Sequence, residues 1–103
     1  IMITITNMTT NGNFKWNNET IKANGSFSKS GDASGNLISI YCNFASANGE
    51  YQDDNANIYF NNGIPSYNIN SNNLTLMVQF INNVNSLISE LSGNVNETEN
   101  ETE

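Results

Sequence analysis

The chain contains no histidine and no arginine, and lysine occupies only three of its 103 positions. Without imidazole there is no general base poised near neutral pH, no Ser-His or Cys-His nucleophile pair and no histidine metal ligand. Without guanidinium nothing can clamp a phosphate or carboxylate in bidentate fashion. Lys15, Lys22 and Lys29 are too few to make a nucleic-acid footprint. No Walker A loop, dinucleotide fingerprint or nucleophile elbow occurs. These gaps set the expectation of a protein that is not an enzyme, takes no cofactor and makes no direct contact with nucleic acid.

Cysteine and proline occur once each. A single Cys42 excludes an internal disulfide framework and any multi-cysteine zinc site. Its place in an apolar, alternating stretch marks it as a buried, inert thiol. No apolar run approaches the ~18 residues of a membrane span, so no membrane partner is expected. The opening Ile1-Met2-Ile3-Thr4 lacks the basic start and long apolar core of a secretory signal, and the expected location is cytoplasmic.

What the chain has in abundance is asparagine, at 23 of 103 positions. An A/T-rich coding sequence would enrich lysine equally, so the shortage of lysine reads as positive charge kept off the protein. Six Asn-x-Ser/Thr sequons follow from the composition, since 23 Asn and 19 Ser plus Thr give about four by chance. The formal charge is −7, and its distribution matters more than its sum. Residues 96–103 repeat Asn-Glu-Thr-Glu and hold four of the ten acids. That acidic tail can bury nothing and is expected to be flexible. The remaining body, residues 1–95, reads as one mildly acidic domain.

Asn-Gly, the strongest short hairpin signal, occurs at 11–12, 24–25, 48–49 and 62–63. A first strand is predicted over about 2–9 from Ile3-Thr4-Ile5-Thr6, with Asn11-Gly12 as its turn and Phe14 and Trp16 on a short second strand. Asn17-Asn18-Glu19 reads as the next turn. From Thr20 to Ser28 the alternation Ile21, Ala23, Gly25, Phe27 runs straight through Asn24-Gly25, which places that pair inside a strand, at a bulge or close approach. Residues 30–35 form a loop. Ile38, Ile40, Cys42 and Phe44 define one face of a strand over 36–45. Residues 46–54 form a turn and loop. A two-residue turn at Asn62-Gly63 sets Phe60 opposite Pro65 and Ile58 opposite Tyr67 in a hairpin over 55–69, with Pro65 on an edge strand.

The period then changes. Leu74, Met77, Val78, Ile81, Val84, Leu87, Ile88 and Leu91 recur at three- and four-residue steps, with Phe80 beside them, and predict an amphipathic helix. Asn72 or Asn73 stands at its N-cap and Gly93 where a C′ glycine belongs. The predicted fold is α+β: an antiparallel meander of five to six strands with the C-terminal helix packed on one face.

The candidate functional residues are few. Tyr41 and Tyr59 fall opposite their strands' apolar sets, which suits protein contact better than base stacking in the absence of nearby positive charge. Glu50, Asp53 and Asp54 make an acidic loop. Asp53, Asn55 and Asn57 match the first half of a calcium loop, but Ile58 replaces its glycine and Ile64 its bidentate glutamate, so no metal site is inferred. The resulting expectation is a small non-catalytic binding protein that docks on a basic, nucleic-acid-binding protein through Tyr41, Tyr59, Glu50, Asp53 and Asp54. One concrete form is an inhibitor of the kind a phage or mobile element encodes. The alternative is a structural, surface or virion module acting through self-association, because the sheet edges carry little protecting charge.

Overall fold

The computed structural model describes residues 8–32 and 35–93. Strands β1 (Thr9–Asn17), β2 (Ile21–Ser30), β3 (Leu37–Ser46), β4 (Asn55–Asn61) and β5 (Ile64–Asn70) precede helix α1 (Leu74–Ser92). The strands form one open sheet in the order β1-β2-β3-β4-β5, every neighbouring pair antiparallel. The helix packs on one face, over β2 and β3. This is the predicted α+β meander with five strands.

The β4–β5 hairpin follows from its turn chemistry. Asn62 and Gly63 both take positive φ, 55° and 82°, as a type I′ turn requires. The register pairs Phe60 with Pro65 and Ile58 with Tyr67, as predicted. Directly after β3, Gly49 N–H donates to the Ser46 carbonyl at 2.9 Å and closes the turn that holds Asn48.

The other two Asn-Gly pairs lie inside strands. The expected turn at Asn11-Gly12 is absent, because β1 runs through it from Thr9 to Asn17. Gly12 pairs with Phe27, and Phe14 pairs with Gly25. A Cβ on Gly12 would stand 2.7 Å from the Phe27 ring, so this glycine is the space in which the ring lies. Gly25 is held for a different reason: its Cβ would fall 1.9 Å from the Tyr41 carbonyl oxygen of the adjacent strand. The two rings stand 6.4 Å apart and tilted on the core face, a reciprocal glycine–aromatic arrangement across two strands. The strand predicted over 2–9 lies almost entirely outside the described residues, as does the tail at 96–103.

A second correction concerns β3. The register passes from Ser28↔Ser39 to Lys29↔Leu37, skipping Ile38 in a β-bulge. The bulge sends Leu37 to the core and leaves Ile38 exposed, so the apolar face is Leu37, Ile40, Cys42 and Phe44.

Helix α1 is capped by Asn73, whose side chain accepts from the Leu76 N–H at 3.1 Å. Its C-cap Gly93 is extended (φ −73°, ψ −179°), not left-handed. The helix has no basic residue in its last turn. Lys29 of β2 supplies that charge: its buried ammonium donates to the Gly93 carbonyl at 2.7 Å, where the helix dipole favours a cation. Burial holds the Lys29 pKa below the usual lysine value.

The buried positions of α1 are Leu76, Phe80, Val84, Leu87 and Leu91. Phe80, predicted beside the apolar set, is its centre and stacks on Phe44 at 4.3 Å between centroids. Leu74, Val78 and Ile81, predicted on the core face, are exposed. The helix is therefore rolled toward β1 relative to the sequence pattern, and side chains on that flank hold it there. Trp16 Nε1 donates to Glu90 Oε2 at 3.2 Å, and Asn18 Nδ2 donates to Asn83 Oδ1 at 3.2 Å. Asn18 in turn is fixed by its Oδ1, which accepts from the N–H groups of Thr20 and Ile21, both at 2.8 Å.

Candidate functional site

The sheet face away from α1 is a field of amides and hydroxyls with two exposed tyrosines. Tyr41 lies opposite Asn57 and Tyr59 opposite Ser39, so the rings occupy a diagonal of adjacent strands. Diagonal side chains on one sheet face stand ~7–8 Å apart. The strand alternation that selected these residues in the sequence therefore brings them together.

The acidic residues divide. Glu50 and Asp53 are exposed in the loop between β3 and β4. Asp54 is buried and structural: its carboxylate accepts from the Ser71 hydroxyl, and its carbonyl accepts from Phe44 N–H at 3.2 Å. It ties the loop to the segment that leads into α1. Tyr59 is four residues along β4 from Asn55 at the loop's end, ~13 Å away along an extended strand. The five candidate residues thus form two separate groups, with Asp54 withdrawn from the surface.

Gln52, Asp53, Asp54, Asn70, Ser71 and Asn73 line a polar cleft of about 540 Å³ at this end of the sheet. Among the described residues no three His, Cys, Asp or Glu side chains gather closely enough to hold a metal ion. Asn55 and Asn57 belong to β4 and are extended, so residues 53–57 do not wrap as a calcium loop does. Cys42 is fully buried, and burial pushes its thiol pKa up to about 12. It is a packing residue without nucleophilic character.

The side of the molecule that sequence reasoning did not single out is the strip between α1 and β5. With α1 held over β2 and β3, the inner face of β5 has little above it. Tyr67 and Ile69 floor a groove of about 230 Å³ walled by Ile81 and Val84, with Asn85 at its rim. On the same helix Leu74, Val78 and Ile81, at four- and three-residue steps, are 72%, 45% and 47% exposed, while Tyr67 is 44% exposed. On a 3.6-residue wheel the buried five span roughly 80°, and the apolar arc continues for roughly another 120° toward β5. The signal was present in the sequence as an apolar stripe too wide for one interface. No charged residue occurs between Asn55 and Ser89, so the whole strip is neutral.

At the open edge of β5 the two-residue turn fixes which backbone groups face outward. Asn61 and Ile64 flank the turn as a hydrogen-bonded pair, so the outward positions are Pro65, Tyr67 and Ile69. Proline's missing donor therefore falls on the open edge, where it removes no bond to β4.

Among the described residues no helix is long and apolar enough to cross a membrane. No protein-family model, no curated protein and no solved structure matches the chain.

Proposed function

We propose that the protein is a non-catalytic protein-binding module that docks through the strip formed by α1 and β5. The observation that carries this reading is the exposure of Ile81 beside Tyr67 and Ile69, together with exposed Leu74 and Val78 on the same helix. A contiguous, neutral, apolar strip rimmed by amides is the surface type that binding partners cover.

A photo-cross-linking amino acid placed at position 78 in the full chain tests this. Position 82, on the polar outer face of α1, is the control. A discrete cross-linked partner from position 78 and none from position 82 is the expected result. Equal products from both positions, or none from either, overturn the reading.

A second reading, docking on a basic protein, is favoured by the exposure of Glu50 and Asp53 beside the polar cleft. It assigns these two carboxylates to steering. The double change Glu50→Gln, Asp53→Asn then slows association and flattens its salt dependence without altering dissociation. An unchanged association rate removes it.

A further inference from the structure

We infer that the open edge of β1 pairs with β1 of a second copy of the chain, antiparallel across a two-fold axis, so that two sheets join into one. This is independent of the docking strip at α1 and β5.

The hydrogen bonds fix which backbone groups of β1 face outward. At the two ends of the β1–β2 ladder the Gly31 N–H donates to the Met8 carbonyl at 3.0 Å, and the Asn18 N–H donates to the Ile21 carbonyl at 2.9 Å. Bonding alternates along an antiparallel pair, so the even-numbered residues from Met8 to Asn18 direct their groups to β2. Thr9, Asn11, Asn13, Lys15 and Asn17 direct theirs away from the sheet, and every one of these residues is exposed. The devices that blunt a sheet edge are nearly absent. β1 has no proline, its pairing with β2 runs without a register shift, and Lys15 is its one charged side chain. β5, the opposite edge, is shorter, and Pro65 removes an outward donor from it.

The strand is also complementary to itself. Two copies overlap along the whole of Thr9–Asn17 in a single antiparallel register, the one that sets Asn13 opposite its own counterpart. Asn13 has outward groups, so this central pair exchanges both bonds. Thr9 then meets Asn17 and Asn11 meets Lys15, so neither lysine faces the other. On the core face Phe14 meets Gly12 of the other copy. The same exchange already joins β1 to β2, where Phe14 pairs with Gly25 and Gly12 with Phe27. Phe14 is only partly buried at the margin of the core, and the second copy supplies its ring with a further glycine neighbour. An unrelated extended peptide matches the backbone groups but not these side chains. The interface is isologous and closes as a dimer, not a fibre. The axis stands perpendicular to the sheet, and with α1 over β2 and β3 it passes between the two helices.

Sedimentation equilibrium of the full chain tests this, with Asn13→Lys as the variant. The new ammonium is solvated in one copy and opposes its own counterpart in the pair. Asn68→Lys adds the same charge on the same sheet face at the opposite edge and serves as control. A monomer–dimer equilibrium weakened at least tenfold by Asn13→Lys and unaffected by Asn68→Lys is expected. Asn13→Cys reads the register: it should oxidise to a disulfide-linked dimer, whereas Lys15→Cys, set opposite Asn11, should not. A chain that stays monomeric at every concentration overturns the proposal. A dimer indifferent to Asn13→Lys overturns it too, and if Ile81→Asp abolishes that dimer, the second copy covers the α1–β5 strip instead. Disulfide formation from position 15 as readily as from position 13 also overturns it, because the strands then do not meet at Asn13.

Discussion

Gly25 is the residue on which the middle of the sheet depends most closely. Its missing side chain lets the β3 backbone pass, and a Cβ there would lie 1.9 Å from the Tyr41 carbonyl. Relief requires the β2–β3 ladder to part. Gly25→Ala is expected to cost about 3 kcal/mol or more, read from urea unfolding. The glycine's conformational freedom is not the issue, since its φ is not in the left-handed region. Cys42, its cross-strand partner, makes a pH prediction. Its thiol is pushed from 9.0 to about 12 by burial. The folded state holds the proton more tightly, so this contribution to stability is full below about pH 9 and is lost as pH rises toward about 12. Lys29, with its lowered pKa, works in the opposite sense at high pH. The comparison that isolates Cys42 is therefore wild type against Cys42→Ala. The stability gap should close between pH 9 and 11 with a slope approaching about 1.4 kcal/mol per pH unit. Parallel curves would refute the assignment.

At the scale of elements, helix α1 separates two asparagines that look alike in sequence. Asn73 accepts from Leu76 N–H, whereas Asn72 is exposed and precedes the cap. Asn73→Ala should cost about 1 kcal/mol and Asn72→Ala less than about 0.5, measured by thermal or urea unfolding. The elements also show what could be read in advance. The Asn62-Gly63 hairpin was legible to the residue because turn type, strand alternation and register agree there. Asn11-Gly12 carries the same dipeptide and was misread. The ring that fills the space over Gly12 belongs to Phe27 on the next strand, and no local pattern reveals it. The Ile38 bulge was hidden for a related reason: an apolar pair, Leu37-Ile38, satisfies either register until Lys29 must reach the end of α1. The helix itself was legible by period. Its roll was not, because the wheel shows how wide the apolar arc is but not which part the sheet covers.

For the whole molecule, the roll of α1 divides neighbouring residues into opposite roles. Phe80 is fully buried against Phe44, and Ile81 is half exposed over the β5 groove. Phe80→Ala should cost about 3–5 kcal/mol, while Ile81→Asp should change unfolding stability by no more than about 0.5 kcal/mol. A large loss from Ile81→Asp would mean that the strip belongs to the core and is no docking surface. The exposure of Tyr41 and Tyr59 was legible from strand alternation. The burial of Asp54 was not, because its partner Ser71 lies beyond the next hairpin.

All three lysines fall on β1 and β2, and from Ser30 to Glu103 the chain has none. Amine-directed chemistry at lysine side chains therefore reaches one edge of the sheet alone. Anchoring the protein to a sensor surface through Lys15, the exposed lysine of β1, leaves the α1–β5 side turned toward solution. By the same token, tryptic cleavage leaves β3, β4, β5 and α1 on one fragment, and lysine-reactive cross-linkers pass over the α1–β5 strip without recording it.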